Sequence, residues 1–258
     1  AGSQGPLGTV NFITAHDGFC LKDLVSYNVK HNQVNGESNR DGTSNNYSFN
    51  FGVEGETQDQ AIRADRRKAA RNLTATLLFS AGIPMVTAGD ERGKTQLGNN
   101  NAYCQDSNLS WVNWDLTRQQ KDIETTFSYL TRLRAENPTL RPTNFGSFER
   151  LDVNLDRIRW FNAQGGLMSN EDWQNPENRT VLRLSEHLAE DGSKNVTLLL
   201  IHGVEKEEKI HLPQGIEFEN FEILWNSAFD LPPTELVKVD NTAPLTVSGS
   251  SVILLRAI

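Results

Sequence analysis

A histidine and an aspartate, His16 and Asp17, stand side by side directly after the apolar run of residues 10–15. Enzymes that alternate strands and helices place catalytic groups at strand ends, because the strand fixes the side chains and the next loop leaves room for a ligand. A carboxylate there can stabilise positive charge at the anomeric carbon of a sugar, and an imidazole can hydrogen-bond ring hydroxyls. The dipeptide alone leaves a second interpretation open, in which Asp17 caps a turn beside a hydrogen-bonded His16.

A second acidic pair, Asp90 and Glu91, follows the apolar run of residues 83–88. By the same strand-end geometry, these carboxylates are candidates to face a ligand. A solvated turn, or an ion pair with a neighbouring arginine, explains them equally well. Both interpretations stay open at the level of sequence.

The polar segment between residues 97 and 114 carries side chains suited to sugars. Amides donate to and accept from hydroxyls, and aromatic rings stack on sugar rings. We assign substrate binding to four of these residues, namely Asn99, Asn100, Tyr103 and Gln105, while Trp111 and Trp114 are further stacking candidates. Asparagine-rich segments are also ordinary turns, and aromatic residues often pack beneath a loop, so these alternatives remain.

The first half of the chain alternates strand and helix patterns. Residues 10–15 and 83–88 predict two buried strands, and apolar residues at i, i+3 and i+4 predict a helix over 61–80. Thr117 opens a capping-box pattern, which predicts a second helix that ends before Pro138. The order strand, helix, strand indicates a crossover in a parallel sheet. A long polar segment over residues 28–59 predicts a packed functional loop.

From about residue 145 the apolar period changes to two, which is typical of strands. Turn residues separate the candidate strands, and this pattern predicts a small antiparallel β-sandwich. The candidate strands are residues 158–161, 181–184, 196–201, 209–212, 221–225 and 252–256.

Composition excludes several classes of function. The formal net charge is -8, which argues against nucleic-acid and anionic-membrane partners, because both require a basic surface. No apolar run reaches 18 residues, so no membrane-spanning helix is predicted. The five histidines and two cysteines lack metal-ligand spacing, and we predict neither a metal nor a cofactor. Cys20 and Cys104 do not form a disulfide framework, which favours a cytoplasmic location.

Taken together, these motifs resemble a known family. Residues 10–18, with His16 and Asp17, resemble the fourth signature region of the alpha-amylase superfamily of glycoside hydrolases, at the end of the seventh barrel strand. The remaining motifs are similar to the glycogen debranching enzyme and isoamylase group, which cleaves α-1,6 branch linkages. They are residues 24–28, 31–32, 35–36, 39–42, 88–91, 98–106 and 110–111.

The resemblance implies a fold and a division of roles. Residues 1–142 are expected to form the last two β/α units of a (β/α)8 TIM barrel, and residues 143–258 the antiparallel β-sandwich. Asp17 matches the aspartate that stabilises the transition state, and His16 the histidine that contacts the sugar before the scissile bond. The expected substrate is a branched α-glucan, either glycogen or a limit dextrin.

The resemblance also implies that the chain is incomplete as an enzyme. The family's nucleophilic aspartate and acid/base glutamate lie on the fourth and fifth barrel strands, which this sequence does not contain. Asp90 and Glu91 follow the eighth strand and do not replace them. We therefore expect no debranching activity from the chain alone. Two strands of a barrel also leave open edges, which predicts either self-association through those edges or a rearranged packing of the helices on the sandwich.

Two other functions remain open. The sandwich could bind glucan without catalysis, through exposed aromatics among Trp160, Trp173 and Trp225, although core packing is the default for tryptophans in strands. A glucan transferase or a trehalose-releasing hydrolase of the same superfamily would carry similar motifs.

Overall fold

The computed structural model describes residues 5–153 and 155–258, without the side chains of residues 118 and 119. The chain divides into two compact units. The first, here called the sheet unit, comprises Ala1–Val10, Leu78–Ile83 and Tyr129–Ile258; the second, here called the loop unit, comprises Asn11–Leu77 and Pro84–Ser128. The border of these units does not coincide with the predicted boundary at residue 142, because the ends of two long helices are grouped with the sheet.

The two strands predicted in the first half are much shorter than expected. Strand β1 is Val10–Asn11 and strand β2 is Ile83–Pro84. The Ile83 N–H donates to the Thr9 carbonyl (2.9 Å) and the Met85 N–H to the Asn11 carbonyl (2.8 Å). The residue numbers of donor and acceptor rise together, by two in each strand, which is the pattern of a parallel pair.

The prediction that these strands are buried is wrong. Phe12 in the first run is 54% exposed, and Met85 and Val86 in the second are 40% and 36% exposed. Apolar runs indicate burial only where another element covers them. In the described part of the chain, this sheet has two strands and no third neighbour. Self-association through these strands stays a prediction.

Helix α1 is the single turn Leu21–Leu24, and helix α2 spans Gln60–Phe79, which confirms the prediction for residues 61–80. The Asp59 carboxylate caps α2, since its Oδ1 accepts the N–H groups of Ala61 (2.9 Å) and Ile62 (3.2 Å). A side-chain acceptor at this position satisfies N–H groups that lack a partner inside the helix.

Helix α3 spans Arg118–Glu136, as predicted. The Gln120 N–H donates to Thr117 Oγ1 (3.3 Å), and the Thr117 N–H donates to Gln120 Oε1 (3.0 Å). These reciprocal bonds confirm the capping box. Short 3-10 turns are found at Gly5–Gly8, Gln33–Asn35, Asp90–Arg92, Ala102–Cys104 and Pro138–Leu140.

The sheet unit contains a six-stranded antiparallel sheet in the order β3-β4-β5-β10-β7-β8 and a two-stranded sheet β6-β9. All six predicted strands are confirmed, while β8, β9 and the short helix α4 were not predicted. The bounds are β3 Arg157–Phe161, α4 Asn170–Gln174, β4 Thr180–Leu188, β5 Lys194–His202, β6 Glu208–Ile210, β7 Asn220–Asn226, β8 Val237–Asp240, β9 Leu245–Val247 and β10 Ser251–Ala257.

A continuous apolar core joins the two sheets of this unit. Leu182, Leu200 and Leu255 from the large sheet belong to the same buried cluster as Ile210 and Val247 from the small sheet. Residues at alternate positions of each strand therefore point into one core, as the period of two predicts. This two-layer packing agrees with the predicted sandwich.

The opposite face of the large sheet is covered by the ends of the two long helices. The Phe79 ring meets the Trp225 ring edge-on at 6.1 Å, and the Arg183 guanidinium donates to the Phe79 carbonyl (3.0 Å). The Tyr129 hydroxyl of α3 donates to the Leu224 carbonyl (2.8 Å). Trp225 is 1% exposed and is a core residue.

Candidate functional site

His16 and Asp17 lie just beyond β1 and project into solvent. Their side chains are 88% and 77% exposed, and His16 Nε2 lies 3.4 Å from Asp17 Oδ2. The Asp17 carboxylate is therefore accessible, and its neighbour His16 is the residue that pairs with it. Exposure of this kind leaves both oxygens available to a ligand.

The segment that carries this pair is anchored on both sides. Before it, Thr14 Oγ1 donates to Asp90 Oδ2 (2.5 Å). After it, the Gly18 N–H donates to the Asn100 carbonyl (2.9 Å). Two exposed functional groups thus sit on backbone that is fixed by buried polar contacts, which is the arrangement a preorganised site requires.

Asp90 is part of the framework and does not face a ligand. It is 3% exposed, and its second oxygen accepts the Leu21 N–H (2.8 Å). Burial raises the pKa of Asp90 to about 6, although the bonds from Thr14 and Leu21 partly oppose this. Glu91 accepts the Gly89 N–H within its own turn (2.9 Å). The ligand-facing interpretation of Asp90 is therefore wrong.

The raised pKa of Asp90 predicts a pH dependence of stability. The folded state holds a proton on Asp90 between the ordinary pKa of 3.8 and about 6, whereas the unfolded state has lost it. The free energy of unfolding therefore falls as pH rises through this window, by at most about 3 kcal/mol, since one pKa unit corresponds to about 1.4 kcal/mol. Asp90→Asn should remove this loss, as measured by urea unfolding at pH 4 to 7.

The expected sign is specific to a carboxyl whose pKa is raised on folding. Asp90→Asn should gain stability relative to wild type as pH rises from about 4 to about 6. Glu91→Gln, in the same turn, is the matched control: it removes a charge that helps to raise the pKa of Asp90, so the loss of stability should become slightly smaller and should not disappear. A profile for Asp90→Asn parallel to that of wild type would contradict the assignment.

Asn100 connects three parts of the loop unit. It exchanges two hydrogen bonds with Asn32: its N–H donates to Asn32 Oδ1 (3.0 Å), and its Oδ1 accepts from Asn32 Nδ2 (2.9 Å). Its own amide nitrogen donates to the Thr43 carbonyl (2.8 Å) and to Asn46 Oδ1 (2.6 Å). Because its carbonyl also accepts the Gly18 N–H, Asn100 joins the long polar loop to the residue that follows Asp17.

Asn99 is equally engaged. It is fully buried, its Nδ2 donates to Asn35 Oδ1 (2.8 Å), and its Oδ1 accepts the Asn101 N–H (2.9 Å). Gln105 donates through Nε2 to Asn35 Oδ1 (3.0 Å) and to the Val34 carbonyl (3.2 Å). The amides of Asn99 and Asn100 thus serve the loop itself in this structure. The substrate-binding roles of Asn99, Asn100, Tyr103 and Gln105 remain predictions.

Two acidic residues that sequence analysis did not single out also hold the loops. Asp23 is fully buried and accepts the Gln96 N–H (2.8 Å) and the Gly98 N–H (3.1 Å), as well as the Thr95 hydroxyl. Burial raises the pKa of the Asp23 carboxyl. No local pattern marks this residue, because its partners lie more than 70 positions away.

Glu54 organises the long polar loop in the same way. Its carboxylate accepts the Asn28 N–H (2.9 Å), the Val29 N–H (3.1 Å) and Asn50 Nδ2 (2.8 Å), and it contacts His31 Nε2 (3.0 Å). Partial burial raises the pKa of Glu54, but these bonds outweigh that effect and lower it to about 2. The loop predicted over residues 28–59 is therefore packed and polar.

The aromatic candidates of the loop unit are exposed. Tyr103 is 83% exposed, Trp111 is 61% exposed and Trp114 is 75% exposed. Tyr47, which sequence analysis did not single out as a ligand contact, is 89% exposed and has a left-handed backbone with φ of +47°. The alternative that these rings pack beneath a loop is wrong for all three candidates.

In the sheet unit, Trp160 and Trp173 meet edge-on with ring centroids 5.5 Å apart, and Trp173 is 52% exposed. Among the described residues, no three side chains of histidine, cysteine, aspartate or glutamate gather as they would around a metal ion. Nor does that part of the chain contain a helix with the length and apolar character needed to cross a bilayer.

The chain is similar in sequence to bacterial proteins of glycogen metabolism. It is 44% identical over 215 residues to the glycogen debranching enzyme of Dickeya chrysanthemi, a match that covers 83% of the chain and 30% of that enzyme. It is 39% identical over 247 residues to the glycogen debranching enzyme of Yersinia enterocolitica, covering 95% of the chain and 33% of the enzyme. The GlgX homolog of Mycobacterium tuberculosis strain H37Rv is 48% identical over 175 residues, covering 67% and 24% respectively.

Solved structures of similar fold are pullulanases and related modules. Pullulanase from Bacillus acidopullulyticus superposes with a TM-score of 0.61 at 20% identity, over 96% of this chain and 24% of that one. The catalytic module of the glycogen-degrading pneumococcal virulence factor SpuA gives 0.61 at 13% identity, over 99% and 37%. No protein-family model matches the chain.

The structural matches establish that the fold is shared with these pullulanase and SpuA modules. By sequence, the chain is related to the glycogen debranching enzymes and GlgX homologs, which it matches at 39–48% identity over part of their length. It spans between 24% and 33% of the length of the relatives named above.

Proposed function

We propose that this chain contributes part of the active site of a glycoside hydrolase that cleaves α-1,6 branch linkages in α-glucans such as glycogen. The observation that carries the proposal is the exposed His16-Asp17 pair, which follows a parallel strand and is held by buried anchors on both sides. Relatives named glycogen debranching enzyme support the choice of linkage. In the complete enzyme, the loop unit would supply the last two β/α units of the barrel.

Asp17 has the role of stabilising the sugar cation that forms as the glycosidic bond breaks. A carboxylate placed near the anomeric carbon lowers the energy of that cation more than the energy of the neutral substrate, so it accelerates the chemical step. His16 donates to sugar hydroxyls next to the scissile bond. Tyr103 and Gln105 remain candidates for further sugar contacts, because Tyr103 is exposed and Gln105 is only partly buried.

The reaction needs two further groups that this chain does not provide. A retaining mechanism requires a nucleophile and a proton donor about 5–5.5 Å apart across the bond. Asp90 lies close to the Asp17 segment, but burial and two hydrogen bonds occupy its carboxyl group. Asp23 is likewise buried and engaged. We propose that the nucleophile and the proton donor belong to the longer protein, which acts in the cytoplasm.

The direct test compares the purified 258-residue chain with the full-length enzyme on a branched limit dextrin. New reducing ends are measured, and the products are separated by size. The full-length enzyme should release linear chains, and the 258-residue chain should release nothing above background, since loss of a cooperative catalytic group costs many orders of magnitude. Linkage-specific turnover by the chain alone would refute the division of roles.

The same assay separates related activities. A glucan transferase would lengthen some products without a matching rise in reducing ends, and a trehalose-releasing hydrolase would yield a non-reducing disaccharide. Either product pattern would replace debranching as the proposed reaction while leaving the role of Asp17 intact.

A second candidate function rests on the sheet unit. The half-exposed Trp173, supported edge-on by Trp160, offers an aromatic surface for a glucan, whereas Trp225 is committed to the core. Calorimetric titration of the chain with a linear maltooligosaccharide, repeated with Trp173→Ala, tests this candidate. It is supported if this single substitution removes binding.

A further inference from the structure

The loop unit contains a depression of about 520 Å³ at the start of α3 that is largely open to solvent and is here called the cavity. Volumes of roughly 300–1,000 Å³ are typical of small-molecule sites. Trp114 forms one wall, and Arg92, Asp115, Thr117, Lys121 and Glu124 supply most of the remainder. Neither the anchoring of Asp17 nor the capping of α3 explains why a tryptophan is displayed there.

The Trp114 side chain is exposed and yet held in place. The Arg92 guanidinium lies over the indole at 4.6 Å from the ring centroid, and it donates to the Trp114 carbonyl (3.0 Å). Glu124 fixes the arginine from the other side, with Nη1 to Oε1 at 2.6 Å. The Arg92 side chain is only 14% exposed, so the contact is well shielded from solvent. Stacking of arginine on one face of an indole orients the ring and leaves it 75% exposed.

The chemistry of the walls selects a neutral ligand. Two cationic side chains, Arg92 and Lys121, face two anionic ones, Asp115 and Glu124, so the formal charges cancel. Thr117, Asp115 and Lys121 offer hydroxyl, carboxylate and ammonium groups around an apolar ring. A ligand that fits has one apolar face and a rim of hydroxyl groups, which describes a pyranose ring.

We propose that this cavity, defined by Trp114 and Arg92, binds a linear segment of α-glucan by stacking of a glucose ring on the exposed face of Trp114. The choice of an α-linked glucan rests on the proposed function. The ammonium of Lys121 and the carboxylate of Asp115 then bond the hydroxyl rim of the sugar. Because Arg92 and Glu124 already hold the indole, little side-chain entropy is lost when the glucan binds.

The test is calorimetric titration of the 258-residue chain with maltoheptaose. Wild type should show saturable binding, and Trp114→Ala should lower the association constant at least about tenfold, as expected for a central aromatic contact. Trp114→Phe keeps a stacking surface and should retain most of the affinity. Since Trp114 is exposed, its truncation should leave the melting temperature nearly unchanged, which a thermal scan verifies.

Phe145→Ala is the matched control, because it removes an exposed aromatic side chain from the sheet unit. Its affinity should equal that of wild type. The proposal is overturned if wild type shows no saturable binding, if Trp114→Ala binds as tightly as wild type, or if Trp173→Ala alone abolishes binding. Turnover by the full-length enzyme is measured separately, so failure of this site and failure of the proposed function give different results.

Discussion

Replacing Asp17 by asparagine in the full-length enzyme is expected to lower kcat for α-1,6 hydrolysis by at least about 10³-fold, with little change in KM. A group that acts only on the developing charge lowers kcat and kcat/KM together. Asparagine keeps the shape of the side chain but loses the negative charge that stabilises the cation. The side chain is 77% exposed, so the substitution should not disturb the fold. Initial rates on a branched limit dextrin give both constants.

Glu37→Gln provides the matched control, because it removes an exposed carboxylate from the polar loop of the same unit. It changes the net charge by the same amount and should leave kcat within about twofold of wild type, as surface substitutions usually do. If Asp17→Asn retained a tenth or more of the wild-type kcat, Asp17 would not be the stabilising carboxylate. A loss confined to KM would instead indicate that Asp17 only binds the substrate.

The sequence predicts the helices and the large sheet well, because their signals are local. Asp59 and Thr117 cap the helices that follow them, and the apolar period of two continues through the strands of the sheet unit. Strands β8 and β9 were missed because they are short, with four and three residues, so the apolar alternation has too few positions to stand out. Local pattern thus identifies an element where its period continues over enough residues.

The strands that precede the candidate site show the opposite case. Residues 10–15 and 83–88 have the composition of buried strands, yet only β1 and β2, of two residues each, form there. Burial of such a run depends on neighbouring strands, and in the described residues none is present beyond this pair. The apolar composition therefore indicates that these segments are suited to a buried position. It does not show that they are buried, since Phe12 and Met85 are exposed in the structure.

Within the candidate site, too, the sequence predicts the local features and misses the contacts between distant residues. His16 and Asp17 are adjacent, so a short motif predicts them together. The residues that anchor this pair are distant in sequence. Asp90 lies 76 positions after its partner Thr14, and Asn100 lies 82 positions after its partner Gly18, so no spacing rule connects them. Residue type predicts an amide at Asn100 that can bond a ligand, and in the structure that amide joins Asn32, Thr43 and Asn46. Residue type predicts what a side chain can bond, and only the fold decides with which partner.

The largest loss of stability is expected from Glu186→Ala in the sheet unit. The Glu186 side chain is fully buried between two arginines: it accepts Arg157 Nε (2.8 Å) and Nη2 (2.6 Å), and Arg159 Nη2 (2.8 Å). Removal of one partner from a buried ion pair leaves charge without compensation, which costs roughly 3–5 kcal/mol. The free energy of unfolding should fall by that amount in urea titrations that follow the fluorescence of the core residue Trp225.

Glu217→Ala is an internal control, because Glu217 binds the same Arg157 Nη2 at 2.8 Å but is 53% exposed. Water solvates the half-exposed Glu217 carboxylate, and Glu186 still pairs with Arg157 after the substitution, so this variant should lose less than about 1 kcal/mol. The two carboxylates thus pair with the same arginine nitrogen at similar distances, 2.6 Å and 2.8 Å, and they differ in burial. Equal losses from both substitutions would mean that burial does not determine how much each carboxylate contributes to the free energy of unfolding. The predicted cost of Glu186→Ala would then be wrong.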